Sequence, residues 1–171
     1  MKINVKKIIY DNFFCENLKF FKEFNIYKII DCKKYILTKK YINNRYYSYK
    51  ERLKICSFEN TTPNIIIRFC EIIDGVNTNL IKGKKLRSNK LVIIGEIKFS
   101  LIVFYSNNSN IIKNISMPFS TFIVIPQNIC NREIINLNYL IEDVSSVYLE
   151  DDKIMVSITP LLEYKDEYIS R

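Results

Sequence analysis

The sequence predicts a mainly β fold, an antiparallel β-sandwich with one short helix near the N-terminus. Three observations carry that expectation. The chain of 171 residues contains no Ala and 31 Ile, so the best helix former is missing and the commonest residue is β-branched and stiff at χ1. The second half alternates apolar and polar residues with a period of two over several stretches. Clusters of Asn, Ser, Asp and Pro separate those stretches at short intervals, the rhythm of a sandwich or barrel and not of βαβ units.

Taken in order, the elements rest on the following residues. Asp11 or Asn12 is placed to cap a helix through Phe24, with Phe14, Leu18 and Phe21 sharing a face at i, i+4 and i+7. Residues 46–58 read as one strand with Tyr47, Tyr49 and Leu53 as its apolar positions. Thr61-Thr62-Pro63-Asn64 breaks the chain, and 65–73 and 79–85 read as strands with Asp74-Gly75 as the turn between them. Residues 91–105 give the clearest pattern: Ile93, Gly95, Ile97, Phe99, Leu101, Val103 and Tyr105 on one face, Glu96, Lys98 and Ser100 on the other. Ser106-Asn107-Asn108-Ser109-Asn110 ends it with turn formers. A short strand over 111–115 follows, Pro118 bends the chain, and a strand over 120–125 stops at Pro126. Residues 133–143 alternate again on Ile135, Leu137, Tyr139 and Ile141, and 144–149 follow directly. Glu150-Asp151-Asp152 is a tight acidic turn, from which 153–164 return as a hairpin with Ile154, Val156, Ile158, Leu162 and Tyr164 inward.

Composition limits the chemistry. The chain has no His, which excludes Ser-His-Asp and Cys-His nucleophilic mechanisms and imidazole-bound zinc among these residues. Abundant Ile, Asn, Lys and Tyr beside absent Ala follow the codons of an AT-rich genome, so the net charge of +8 reflects that bias as well as selection. Its distribution says more. Residues 1–60 hold fourteen Lys or Arg against six Asp or Glu, residues 61–171 hold twelve of each, and residues 133–171 hold nine acids against three bases. A basic start and an acidic end suit an anionic partner or the acidic end of a second copy. The division expected is a basic, Tyr-rich segment, 1–60, packing on the domain or on a neighbour, and a β domain, 61–171.

Five cysteines, Cys15, Cys32, Cys56, Cys70 and Cys130, form no CxxC pair and fit no zinc or iron–sulfur spacing. No secretory leader and no run of 18 apolar residues is present, so the expectation is a reducing cytoplasm, no membrane span and free thiols that pack as small hydrophobes. The odd count leaves one thiol without an internal partner.

The candidate chemical motifs fail on spacing. Seven residues separate Gly75 from Gly83, and Lys85 stands where a phosphate loop needs Ser or Thr. Glu150-Asp151-Asp152 lacks the spacing and Gly of a calcium loop and reads as a solvated hairpin tip. Glu142 and Asp143, adjacent on a strand, point to opposite faces. No enzyme, cofactor or metal is expected. One constellation interleaves aromatics with bases: Tyr41, Arg45, Tyr46, Tyr47, Tyr49, Lys50 and Arg52. Single-stranded nucleic acid binds such surfaces, bases stacking on rings and cations following phosphates. The competing reading is a strand whose rings pack and whose charges are solvated.

From Pro63 to Tyr164 the chain resembles the SPOCS domain of clostridial spore-coat morphogenesis and exosporium proteins. Thr62-Pro63-Asn64-Ile65 resembles the family's opening Pro-Asp-Ile, with Asn64 in place of Asp. Lys90-Leu91-Val92-Ile93-Ile94-Gly95-Glu96-Ile97 resembles its V-x-x-G-x-I/L strand, and Tyr105 its strand-end Tyr. Met117-Pro118-Phe119-Ser120-Thr121-Phe122-Ile123-Val124-Ile125-Pro126 resembles V-P-F-S-x-F-I-x-x-P, the closest of these segments. Ile141-Glu142-Asp143-Val144 and Lys153-Ile154 fit the following strands. The resemblance implies a non-enzymatic module that assembles the spore surface, made in the mother-cell cytoplasm and deposited on the coat or exosporium, with other coat proteins or other copies of itself as partners. The LysM module that follows the domain in some relatives has no counterpart before Arg171. In this setting Pro63, Gly95, Tyr105, Pro118, Phe119, Phe122 and Pro126 are structural, with Phe119 and Phe122 filling the core. Cys15 and Cys130 are the candidates for intermolecular disulfides.

Overall fold

A computed structural model describes residues 2–8, 20–79, 85–126, 129 and 134–165. The long strand β8 (Lys85–Tyr105) organises one sheet because its apolar residues recur every second position. Leu91, Ile93, Gly95, Ile97, Phe99, Leu101, Val103 and Tyr105 are buried, and the residues that alternate with them are not. On one edge of β8 lie β6 (Ile55–Asn60) and then β7 (Asn64–Asn79), end to end, and on the other lies β9 (Asn110–Ile125), all antiparallel to it. The second sheet centres on the hairpin of β10 (Ile134–Leu149) and β11 (Lys153–Lys165), joined by a 3₁₀ turn at Glu150–Asp152. β2 (Phe21–Glu23) and β3 (Ile26–Asp31) pair antiparallel with β11, while β1 (Lys2–Lys7) pairs parallel with β10. The inward residues of both sheets join one core cluster, in which Leu101 and Ile97 meet residues such as Ile154, Val156 and Leu137. Burying each such side chain contributes about 1.5–3 kcal/mol. Residues 1–60 thus supply strands to both sheets.

The mainly β expectation holds, and among the described residues there is no α-helix. Several local expectations are corrected. The end of the expected N-terminal helix, Phe21–Glu23, is strand β2, held by β11; the rest of that stretch, 9–19, lies outside the described residues. Asp74-Gly75 does not turn the chain: β7 runs through it with a register shift between Ile73 and Val76, because β8 continues as a partner beyond it. Pro118 makes no bend either. It pairs with Glu96 inside a continuous β9, which among the described residues has β8 on one side only, so the missing N–H faces away from the ladder. Phe122 does not fill the core. Three residues from buried Phe119, it falls on the opposite face and is 40% exposed. The expected strand over 46–58 is two strands, β5 (Arg45–Arg52) and β6, broken at buried Leu53. β1 departs from the antiparallel pattern.

Candidate interaction surface

Two strands stand apart from both sheets. Among the described residues β4 (Tyr35–Ile42) and β5 pair only with each other, from Tyr35 opposite Arg52 to Ile42 opposite Arg45. Asn43 and Asn44 join them with φ of 49° and 60°, the left-handed pair of a type I′ turn, whose twist matches that of the strands it connects. Every residue of β5 is exposed. Seven large apolar side chains of the ribbon lie open, from Tyr49 at 37% to Tyr46 at 76%, with Leu37 at 72%. Only near the base does the body meet the ribbon, where Ile36 packs against the core and is half-buried; beyond it the large side chains of both faces lie open among the described residues.

The register sorts these residues. One face carries Tyr35, Leu37, Lys39 and Tyr41 with Tyr46, Ser48, Lys50 and Arg52; the other carries Ile36, Thr38, Lys40 and Ile42 with Arg45, Tyr47, Tyr49 and Glu51. The Tyr41 and Tyr46 rings, directly opposed, are 4.7 Å apart, and the Lys40 ammonium lies 5.5 Å from the Tyr49 ring. The interleaved aromatics and bases therefore come together on one element but divide between its two faces. Their rings do not pack into the core, which removes half of the competing reading.

The base of the ribbon is held firmly. The Leu53 amide donates to the Lys34 carbonyl at 2.9 Å, closing the neck. Arg52 forms an ion pair with Asp152, whose other oxygen accepts from the Tyr148 hydroxyl at 2.9 Å. The Cys32 amide donates to the Asp152 carbonyl at 2.9 Å, and the Tyr105 hydroxyl donates to the Cys32 carbonyl at 2.6 Å. The Arg52 guanidinium holds the Asp152 carboxyl below its usual range. Asp152 is buried at φ 56°, so this residue of the acidic turn is an anchor; only Glu150 and Asp151 are solvated. Burial pushes the Tyr105 phenol up to about 12. The strand-end Tyr is thus a structural donor at the neck.

The other residues named from sequence lie elsewhere. Pro63 is buried just before β7, and Pro126 follows the end of β9. A Cβ on Gly95 would lie 2.6 Å from the Ile66 carbonyl oxygen and 2.8 Å from the Phe119 ring, so the strand accepts only Gly there. Cys15 and Cys130 lie outside the described residues. Cys32 and Cys70 are buried and Cys56 is exposed, and burial pushes the Cys70 thiol up to about 12. Glu96, on the outward face, accepts hydrogen bonds from Ser116 at 2.5 Å and from Arg68 at 2.8 Å, which lower its carboxyl to about 2.

Two open clefts flank Thr61 and Thr62. One of about 450 Å³ is lined by Lys7, Asn60, Pro63, Leu140, Ile141 and Val144, the other of about 490 Å³ by Lys98, Phe99, Ser100, Asn114, Ile115 and Ser116. Neither lining includes a carboxylate. Among the described residues no three Cys, Asp or Glu come together as a metal site, and no helix is long and apolar enough to cross a membrane. The molecule defined so far is a mainly β protein bearing an exposed, basic, Tyr-rich ribbon. No family model, no curated protein and no solved structure matches the chain.

Sequence reasoning missed half of the ribbon. Tyr35, Leu37, Lys39 and Lys40 were not grouped with the Tyr-rich stretch, although Asn43-Asn44 between two runs of strand formers is a turn of the required type. Asp152 had no sequence mark that separates it from its acidic neighbours.

Proposed function

We propose that this chain is a non-enzymatic structural protein that assembles through protein–protein contacts, and that the β4–β5 ribbon is the element that makes them. The observation that carries this reading is the ribbon's exposure. Large apolar patches left open on a soluble body mark interaction sites, and Tyr is enriched where protein interfaces are strongest. Two strands without a third sheet neighbour or a covered face are marginal in water, so a partner surface adds stability that the ribbon lacks alone. The SPOCS resemblance supplies the setting: a β-sandwich module of the spore coat or exosporium, made in the mother cell and deposited on the forespore. Cys15 and Cys130 are the thiols proposed for cross-linking there, to be read as a reductant-dependent mass shift in coat extracts. The test is a chain in which residues 36–51 are replaced by Asn-Gly, which joins the already paired Tyr35 and Arg52. In the native host the variant is expected to accumulate in the mother cell and be missing from the spore surface. Normal deposition overturns the reading.

A second reading rests on the cations beside the rings, Lys40 with Tyr49 and Arg45 beside Tyr47, a composition that suits single-stranded nucleic acid. Failure to retain single-stranded DNA at about 50 mM salt removes it, since phosphate contacts are strong at low salt and weaken steeply as salt rises.

A further inference from the structure

We propose that the ribbon's partner is a second copy of this chain, and that it docks head-to-tail on the acidic face formed by Glu23, Glu142 and Asp143. The proposal rests on the preceding reading of the ribbon as the contact element and names what it contacts.

Charge decides among the occupants. Arg52 is committed to Asp152. Among the described residues Lys39, Lys40, Arg45 and Lys50 enter no ion pair, and the ribbon's single carboxylate, Glu51, accepts a hydrogen bond from Thr38 at 3.0 Å. Four unneutralised cations oppose the pairing of one ribbon with another, which disfavours the simplest symmetric dimer. They favour an acidic surface, and the chain carries one. β10 bulges between Ile141 and Asp143, which overturns the strict alternation expected to send Glu142 and Asp143 to opposite faces, and both are exposed. Two strands away in the same sheet, Glu23 on β2 is exposed as well, and its charge adds to partial burial in raising the Glu142 carboxyl. Among the described residues these three carboxylates have no cationic partner. An arriving lysine relieves their crowding. Phe21, two residues from Glu23 on the same face of β2 and 48% exposed, offers an apolar contact for Leu37 or a Tyr ring.

The geometry sets the form of the assembly. The ribbon springs from the neck beside Asp152, at the turn of the β10–β11 hairpin. The acidic face lies eight residues beyond Asp152, near Pro160 on β11, or roughly 26 Å at the rise of an extended strand. Donor and acceptor surfaces are therefore different patches of one molecule, and contacts between different patches build rings or open filaments, not closed dimers. Against nucleic acid stand the bare Leu37 and Ile42, which phosphates do not bury, and Glu51, which they repel.

The experiment is sedimentation of the full chain at about 20 mM and about 500 mM salt, on either side of the roughly 10 Å screening length of 0.1 M. Nuclease-treated protein is expected to show at least roughly a doubling of mass at low salt that disappears at high salt. The quadruple variant K39E/K40E/R45E/K50E and the triple variant E23K/E142K/D143K are each expected to be monomeric, with dichroism spectra like that of the parent. Mixed together, they are expected to associate again, because the reversed ribbon meets a reversed face. A parent chain monomeric at every salt, assembly that vanishes with nuclease, or no association on mixing overturns the second-copy proposal. If the ribbon-shortened variant is nevertheless missing from the spore surface, the contact reading stands with a different protein as partner. If that variant is deposited normally, both fall.

Discussion

The two-sheet body and the β4–β5 ribbon are built from the same residue types and differ in where the side chains go. In β8, Ile and Phe alternate into a shared core, and Ile97 and Leu101 are fully buried. In the ribbon, Tyr35, Leu37, Tyr41 and Tyr46 line one face and Tyr47 and Tyr49 the other, yet both faces meet solvent. Period-two patterning forms a strand in either place; a second layer is what turns the pattern into stability. The body supplies that layer to itself, whereas the ribbon is held only at its neck. The difference separates the part of the chain that makes the fold from the part available for contact.

The largest effect expected from this contrast is in the core. Ile97→Ala is expected to cost about 2–5 kcal/mol, the transfer term plus the cavity left behind, while Leu37→Ala in the ribbon stays within about 0.5 kcal/mol. Paired urea denaturation curves check this, and equal costs would break the comparison. Gly95→Ala comes next, at about 1–3 kcal/mol, because the new methyl meets the Ile66 carbonyl, which cannot move without disturbing the β7–β8 ladder. Asp152→Asn sharpens the neck argument. Asn tolerates the positive φ, so the change removes the charge and one of the two acceptor oxygens that Arg52 and Tyr148 use, and with the Arg52 side chain 42% exposed the loss is about 1 kcal/mol. Amide exchange in the ribbon should accelerate more than in β11.

The smallest effect is a pH dependence in the body. The folded Glu96 carboxyl is depressed from 4.5 to about 2 by the Ser116 and Arg68 hydrogen bonds. A depressed carboxyl contributes stability above its unfolded value and loses it as pH falls through the folded one. Acid unfolding is therefore expected to steepen between pH 4.5 and about 2, and Glu96→Gln to flatten that window. An unchanged slope would remove Glu96 from the account.

Much of the body was legible because its strands are long and one-sided. The alternation from Leu91 to Tyr105 and from Ile154 to Ile158 reads directly as burial; beyond Pro160, Leu161 and Glu163 on the other face are buried as well. What was illegible depends on neighbours that are distant in sequence. Pro118 reads as a bend until β9 is known to have β8 on one side only, and Asp74-Gly75 reads as a turn until β8 is known to continue past it. Phe122 reads as core until strict alternation is counted from Phe119. Burial of the ribbon's Tyr side chains was the natural reading of alternating aromatics. Their exposure follows from the absence of a third strand or second layer, which periodicity does not encode.

Native-state amide hydrogen exchange on the full chain tests the central contrast most directly. Exchange through local opening needs far less free energy than global unfolding. The account predicts amides of β8 and β11 that exchange only with global unfolding, and amides of β4 and β5 that exchange at least about a hundredfold faster in unassembled protein, with protection beginning at the neck around Leu53. Ribbon amides as protected as those of β8 in dilute, high-salt solution would contradict it.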